Sequence, residues 1–160
     1  MRALRQLSLA FAVIGGAVAC AVAAMTAVSI VMRAAWSSPI AGDVELTQFG
    51  IALAISLCLP WAQLRGANII VDFFTQALSR RANRRLDALG ALLLAAMCAL
   101  LSWRTSVGAL SVREAGETSM IRDLPMWWAY ASLAPGLALT ALVAMLQAVR
   151  CWRGGELVER

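Results

Sequence analysis

The chain has 160 residues, of which 61% are hydrophobic and only 14% are charged, and its formal net charge is +5. Soluble domains hold about 45–50% apolar and about 25% charged residues, so this composition excludes a soluble globule and indicates an integral membrane protein. The absence of histidine and lysine excludes a Ser-His-Asp or Cys-His triad, histidine-ligated zinc or haem, and a Schiff-base or P-loop lysine.

The first two apolar runs cover residues 7–32 and 46–64. Roughly 20 apolar residues cross a bilayer core, whereas the apolar core of a signal peptide has about 7–15, so we expect the first run to be a retained span. Asp43 and Glu45 precede the second run, where carboxylates favour the N-terminus of a helix.

The third and fourth runs cover residues 86–112 and 124–150. We expect the third helix to project beyond the membrane. Pro125 is suited to the first turn of the fourth helix, and Pro135 should bend that helix locally. No second domain is indicated, so residues 1–160 are predicted to form one four-span domain.

The segment between the second and third runs, residues 68–85, is predicted to be an amphipathic helix lying in the membrane interface. Its apolar face consists of Ile70, Phe73, Phe74 and Leu78, and its basic flank of Arg80, Arg81, Arg84 and Arg85. An ordinary solvated loop helix is the alternative. The predicted fold is thus an all-α membrane protein with four transmembrane helices and one amphipathic interfacial helix between spans two and three.

The arginines are divided unevenly between the two sides of this arrangement. Ten fall on the side of the two termini, and four fall on the other side: Arg33, Arg104, Arg113 and Arg122. Because cytoplasmic segments carry the excess of basic residues, we expect both termini to be cytoplasmic. Membrane orientation accounts for the basic charge, so no nucleic-acid partner is predicted, and the basic flanks indicate contact with membrane lipid.

Chemistry inside the membrane is sparse. The cores of the four runs contain no Asp or Glu, which an ion-coupled carrier needs. Arg104, at the end of the apolar part of the third run, is expected to reach the headgroups or to pair with loop carboxylates rather than to bind substrate. The four cysteines form no CxxC pair, and neither a metal site nor a cofactor is predicted. An enzyme and a complete one-chain transporter are both disfavoured.

A row of small residues in the first run predicts a helix-packing face. Ala12, Gly16 and Cys20 recur at four-residue spacing. Small side chains in such a row allow another helix to approach closely. The row leaves open whether the partner helix is internal or belongs to another chain.

Three short stretches carry a resemblance to a known family. They are PIAGDVEL at 39–46, QLRGANIIVD at 63–72, and GETS with LPMW between 116 and 127. They resemble the small membrane subunit (DctQ-like) of tripartite ATP-independent periplasmic (TRAP) transporters. The second stretch is similar to the family's Gly-x-His-Ile-x-Val-Asp signature, but Asn68 stands in place of the histidine, so no role that needs an imidazole is carried over.

The resemblance implies the small subunit of a secondary transporter in the bacterial inner membrane. Such a subunit pairs with a large membrane subunit, which holds the substrate and sodium sites, and helps to anchor its scaffold. A periplasmic substrate-binding protein delivers the substrate, usually an organic acid. The loop charges that would then lie where this protein docks are Glu114, Glu117, Arg122 and Asp123.

Two other functions remain open from the residues alone. A self-sufficient small exporter that dimerises around a shared site would need an intramembrane carboxylate. A membrane enzyme would have to draw its catalytic groups from the loop carboxylates, which include Asp43, Glu45 and Glu114.

Overall fold

A computed structural model of the chain describes residues 2–38, 40–66 and 80–152. It contains four helices, α1 (Arg2–Trp36), α2 (Asp43–Leu64), α3 (Arg80–Ala115) and α4 (Trp127–Trp152). Each of the four is long and apolar enough to cross a membrane. The described residues form no strand, only an isolated bridge between Thr118 and Pro125. The predicted all-α architecture with four spans is therefore confirmed.

The start of the third span differs from the prediction. Residues 80–85, assigned above to a separate interfacial helix, are the first turns of α3 and continue into the span without a break. Arginine and alanine are strong helix formers, and no glycine or proline interrupts this stretch. The remaining residues of the predicted interfacial helix, including Ile70, Phe73, Phe74 and Leu78, lie outside the described residues.

The start of the fourth span also differs. Pro125 was predicted to lie in the first helical turn, but α4 begins at Trp127. Pro125 instead sits in the bridge with Thr118. The backbone on either side is held by bonds from Ser119 N to Leu124 O (2.9 Å) and from Met126 N to Glu117 O (3.1 Å). This local antiparallel pairing delays the helix by two residues.

The helices pack in the spatial order α1, α2, α4, α3. Helix α2 packs on α4, α1 packs mainly on α2, and α3 packs on α4. Because consecutive helices alternate in direction, the connections 37–42 and 116–126 lie together at one end, here named the loop end. The opposite end holds the start of α1 and α3 and the close of α2 and α4, and is named the terminal end.

The face of α1 that packs on α2 is formed by Gly15, Val22 and Ser29, which follow one another at intervals of seven residues. A Cβ at Gly15 would lie 2.9 Å from Ala54 O, and a Cβ at Gly50 of α2 would overlap Val22. Farther along, Ser29 Oγ donates to Asp43 Oδ2 over 2.6 Å. Because seven residues make almost two full turns of an α-helix, these positions stay on one face.

The predicted row of small residues leaves this face. The Ala12 carbonyl still contacts the Cys58 thiol of α2 at 3.8 Å. Nothing lies within 4 Å of a Cβ built at Gly16, and Cys20 is exposed. Each four-residue step rotates by about 40° around the helix, so the row winds away from α2. Gly16 and Cys20 consequently face outward from the described bundle.

Helices α2 and α4 make their closest contact beside two prolines. Pro60 lacks an N–H, so the Ser56 carbonyl of α2 has lost its partner within the helix. Gly136 of α4 packs directly on that carbonyl, where any Cβ would overlap it. In return, Ser56 Oγ donates to Leu133 O over 2.7 Å, just before Pro135. Gly136 thus contacts the backbone carbonyl that Pro60 has opened, as a lipid environment requires.

A buried amide pair joins the same two helices at the terminal end. Gln63 Nε2 donates to Gln147 Oε1 over 2.8 Å, and Gln147 Nε2 donates to Gln63 O over 3.0 Å. Both side chains are 5% exposed. An unpaired amide would be costly in an apolar interior, so the two residues fix the register of α2 against α4.

Small side chains form the seam between α3 and α4. The buried residues of α3 alternate at spacings of three and four along one face, and are Ala88, Ala91, Ala95, Cys98 and Ala109. Ser102, in the same series, donates from Oγ to Ala134 O of α4 over 3.0 Å. The large side chains of α3, such as Leu89, Leu93 and Leu100, are exposed on its other faces. Close approach of α3 to α4 therefore leaves the bulky residues for lipid or a partner.

Gly136→Ala should destabilise the bundle by about 1–3 kcal/mol, the usual cost of forcing a methyl group into a packed interior. The added Cβ overlaps the Ser56 carbonyl. Thermal unfolding of the purified chain in mild detergent measures the loss. Gly16→Ala is the matched control, a helical glycine with open space at its Cβ. Similar losses in both variants would contradict the tight α2–α4 contact.

Candidate functional site

The connection between α3 and α4 is a structured loop at the loop end. Gly116 ends α3 with φ 66°, a conformation that favours glycine. Its N–H bonds Arg113 O (3.2 Å), and Glu117 N bonds Val112 O (3.2 Å). These two bonds form a Schellman motif, which satisfies carbonyls that the helix end would otherwise leave open. The chain then enters the bridge that precedes α4.

Glu45 of α2 holds the tip of this loop. Its carboxylate accepts a hydrogen bond from Ser119 Oγ (2.7 Å) and another from Ile121 N (3.1 Å). Ser119 Oγ also accepts from Leu124 N (3.3 Å), and the serine is 6% exposed. A charged acceptor makes stronger hydrogen bonds than a neutral one. The first turn of α2 therefore positions the loop between α3 and α4.

Arg122 joins the two connections directly. Its Nε donates to Ala41 O over 2.7 Å. The next residue, Gly42, caps α2 with φ 73°, and a Cβ there would lie 2.8 Å from Arg122 Cγ. Glycine is thus required at this position both for its backbone conformation and for the space that the arginine occupies.

Asp43 ties the end of α1 to the start of α2. Its Oδ2 accepts from Ser29 Oγ (2.6 Å) and pairs with Arg33 Nη2 at 3.5 Å. Ser29 Oγ in turn accepts from Ile40 N (3.3 Å). Asp43 also lies in the first turn of α2, where the helix dipole favours a carboxylate. Both acids at the start of α2 are therefore used to fix the loop end.

The predicted loop residues differ in their surroundings. Arg122 belongs to the loop contacts, whereas Glu114, Glu117 and Asp123 are exposed and their carboxylates form no hydrogen bond or ion pair with described residues. Asp123 has φ 52°. The result is a fixed loop that presents acidic side chains outward.

Two arginines of α3, Arg113 and Arg104, differ in their contacts. Arg113 lies over the Trp127 ring at 5.3 Å. Arg104 is exposed on α3 and makes no ion pair with any described carboxylate. Its predicted pairing with loop acids is therefore not seen in the described part of the chain. Its reach toward headgroups stays a prediction.

Sequence reasoning missed Glu45 and Ser119 as the centre of the loop contacts. Both lie within the stretches that resemble the TRAP subunit, but these positions are 74 residues apart. A carboxylate in a first helical turn has a local explanation through the helix dipole. Only the packing of α2 against α4 shows that Glu45 reaches the other connection.

The terminal end is basic, and its polar groups interact with one another. Arg65 lies over the Trp61 ring at 5.0 Å. Arg84 and Asp87 of α3 are both within electrostatic range of Cys151. Arg84 is half-buried and Arg85 exposed, while Arg80 and Arg81 are the first residues of α3. Asp87 lies in the second turn of α3, so no carboxylate occupies the central part of any described helix.

No cluster of three or more His, Cys, Asp or Glu residues that could hold a metal ion occurs among the described residues. Glu45 accepts hydrogen bonds from the connection between α3 and α4, and Asp43 accepts from Ser29 and Arg33 of α1. This arrangement can present a surface of fixed shape and charge.

A comparison with protein families gives one match, over residues 22–154, to the DctQ component of tripartite ATP-independent periplasmic transporters. The match covers most of the chain, with the last part of α1 and all of α2, α3 and α4, so the chain belongs to this family of transporter components. Together with the four apolar helices, it identifies a multi-pass membrane protein. Searches of the curated proteins and of the solved structures find no match.

Glu45→Ala should loosen the loop tip. Loss of a charged acceptor removes the partner of Ile121 N, so exchange of this amide with deuterated water should accelerate about tenfold or more. Hydrogen exchange followed by mass spectrometry of the 116–126 peptide is the measurement. Glu114→Ala is the control, because this exposed acid has no described side-chain bond. Unchanged protection in Glu45→Ala would contradict the role assigned to the carboxylate.

Proposed function

We propose that this DctQ-family chain is the small membrane subunit of a sodium-driven TRAP transporter that takes up an organic acid. In this role it pairs with the large membrane subunit and anchors the static part of its scaffold. The substrate and sodium sites belong to the large subunit, and a periplasmic binding protein delivers the acid. The family match over residues 22–154 is the observation that carries the proposal.

The interior of the described bundle supports an accessory role. Its polar side chains are engaged in contacts between helices, as in the pairs Gln63–Gln147 and Ser56–Leu133. The carboxylates Asp43 and Glu45 hold connections at the loop end. Ion-coupled transport needs groups that face a cavity inside the membrane, and the large subunit would supply them.

The outward face of α1 suits a partner helix. Among the described helices, α1 packs mainly on α2, and it exposes Val13, Ile30 and Val31 along its length. Gly16 and Cys20 lie on outward faces of the same helix. Small residues beside large apolar ones allow close helix packing within lipid, where the hydrophobic effect does not drive association. We propose this surface as a contact with the large subunit.

The charge distribution supports an orientation with the terminal end in the cytoplasm. Most arginines of the described residues lie at this end, and the loop end carries acidic residues beside its few arginines. Cytoplasmic segments of inner-membrane proteins carry the excess of arginine and lysine. The exposed acids Glu114, Glu117 and Asp123 would then face the periplasm, where the binding protein docks.

Uptake by reconstituted liposomes tests the proposal. With an imposed sodium gradient and binding protein loaded with its organic acid, uptake should require this chain, the large subunit and the binding protein together. The chain alone should transport nothing. Uptake by this chain alone would favour the self-sufficient dimeric exporter, and equal uptake without it would also refute the proposal.

Two glycine variants sharpen this test. Gly16→Leu fills space that the chain itself leaves open, so the bundle should stay folded while copurification of the large subunit falls. Gly90→Leu is the matched control on α3, since a Cβ there also meets nothing within 4 Å. Full copurification with Gly16→Leu, or the same loss with both variants, would count against the α1 surface.

Labelling of engineered cysteines from outside the cell tests the orientation. Met120→Cys at the loop tip should react with a membrane-impermeant reagent, since this side chain is fully exposed. Gln6→Cys at the terminal end should be protected. Ser119 is not a suitable probe, because it is buried and bonded to Glu45. The unaltered chain with its four cysteines gives the background, and the reverse labelling pattern would overturn the orientation.

A further inference from the structure

An apolar groove runs between α3 and α4 at the terminal end. Its volume is about 240 Å³. The floor consists of Ala88 and Ala148, which are 3% and 6% exposed. The walls are larger and much more exposed, and consist of Leu92, Met145, Val149 and Trp152. Two small residues beneath four large ones thus leave a channel that opens toward the surrounding membrane.

Helical spacing places Arg85 on the same face of α3 as the groove residues Ala88 and Leu92. Arg85 precedes Ala88 by three residues and Leu92 by seven, so it occupies the same face of α3, one turn nearer the helix start. It is exposed and forms no hydrogen bond or ion pair with a described residue. Arg84 and Asp87, of opposite charge, both lie near Cys151, so the positive charge proposed for this end of the groove is that of Arg85 alone.

We propose that this groove binds an anionic phospholipid, with one acyl chain against Ala88 and Ala148 and the phosphate at Arg85. The inference rests on the membrane location of the chain and does not depend on the proposed transport function. It assigns a ligand of defined chemistry to a surface distinct from the loop end and from α1.

The size of the groove suits a lipid chain. Its volume is about 240 Å³ and its lining is apolar. An acyl chain is narrow and flexible enough to follow it. The exposed Trp152 at the groove end also suits the membrane interface, where amphipathic indoles collect.

The charge of Arg85 selects the headgroup. A lipid tail gains little by leaving its neighbours for an apolar groove, since both surroundings are apolar. Preference must therefore come from the phosphate and its net charge. Arginine residues at basic pockets between helices attract anionic headgroups. Phosphatidylglycerol should thus bind better than phosphatidylcholine with the same acyl chains.

Quenching of Trp152 fluorescence by lipids with brominated acyl chains tests the site. The full chain is placed in phosphatidylcholine nanodiscs that contain a minor fraction of brominated phosphatidylglycerol or brominated phosphatidylcholine. The difference between the chain and its Trp152→Phe variant isolates the signal of this tryptophan. We expect stronger quenching by phosphatidylglycerol, and inorganic phosphate at the same concentration should not reverse it.

Substitutions at Arg85 and at Leu92 distinguish the effect of charge on lipid binding from the effect of groove shape. Arg85→Gln should weaken the preference for phosphatidylglycerol about fivefold, and Arg85→Lys should retain most of it. Leu92→Phe should fill the channel without adding a fluorophore that the assay detects and should reduce quenching by both lipids. Arg104→Gln is the matched control, because it removes an exposed arginine from the same helix at the opposite end.

Three results would overturn the proposal. The first is equal quenching by both brominated lipids in the unaltered chain. The second is an effect of Arg104→Gln as large as that of Arg85→Gln, which would indicate general surface charge. The third is a crosslink from Leu92 to the large subunit in the assembled complex, which would show a protein helix over the groove.

Discussion

The contact between α2 and α4 at Ser56 and Gly136 determines where the other helices lie. Each helix contains a proline that removes one backbone donor, and in lipid no water can replace the lost bond. Gly136 packs against the carbonyl that Pro60 leaves open, and Ser56 donates to α4 just before Pro135. With these helices joined at the centre, α1 is added on the free side of α2 and α3 on the free side of α4.

The same pairing brings the two connections of the loop end together. Glu45 can reach Ser119 and Ile121 only because α2 and α4 are adjacent, and Arg122 then meets the Ala41 carbonyl. The helix dipole alone explains an acid at position 45, in the first turn of α2. Glu45 also joins the two connections of the loop end. A loop fixed in this way keeps its outward charges in a constant arrangement.

The outer helices present different chemistry to their surroundings. Helix α1 offers Gly16 and Cys20 among large apolar residues, which suits another helix, whereas α3 offers a channel with Arg85 on the same face of the helix. In lipid, close packing and polar contacts distinguish one apolar surface from another, because burial of apolar area alone gains little. The two outer helices therefore carry the two separate proposals, a partner helix on α1 and a lipid on α3.

Composition and apolar runs were sufficient to predict the four spans, because any helix in a bilayer core needs a long apolar stretch. The sequence also carried the family resemblance and the uneven distribution of arginine. The start of α4 at Trp127, and the seam through Gly15 rather than Gly16, depend on which helices are neighbours. That choice follows from contacts between residues distant in sequence, such as Ser56 with Gly136 and Glu45 with Ser119, and only the tertiary structure brings those residues together.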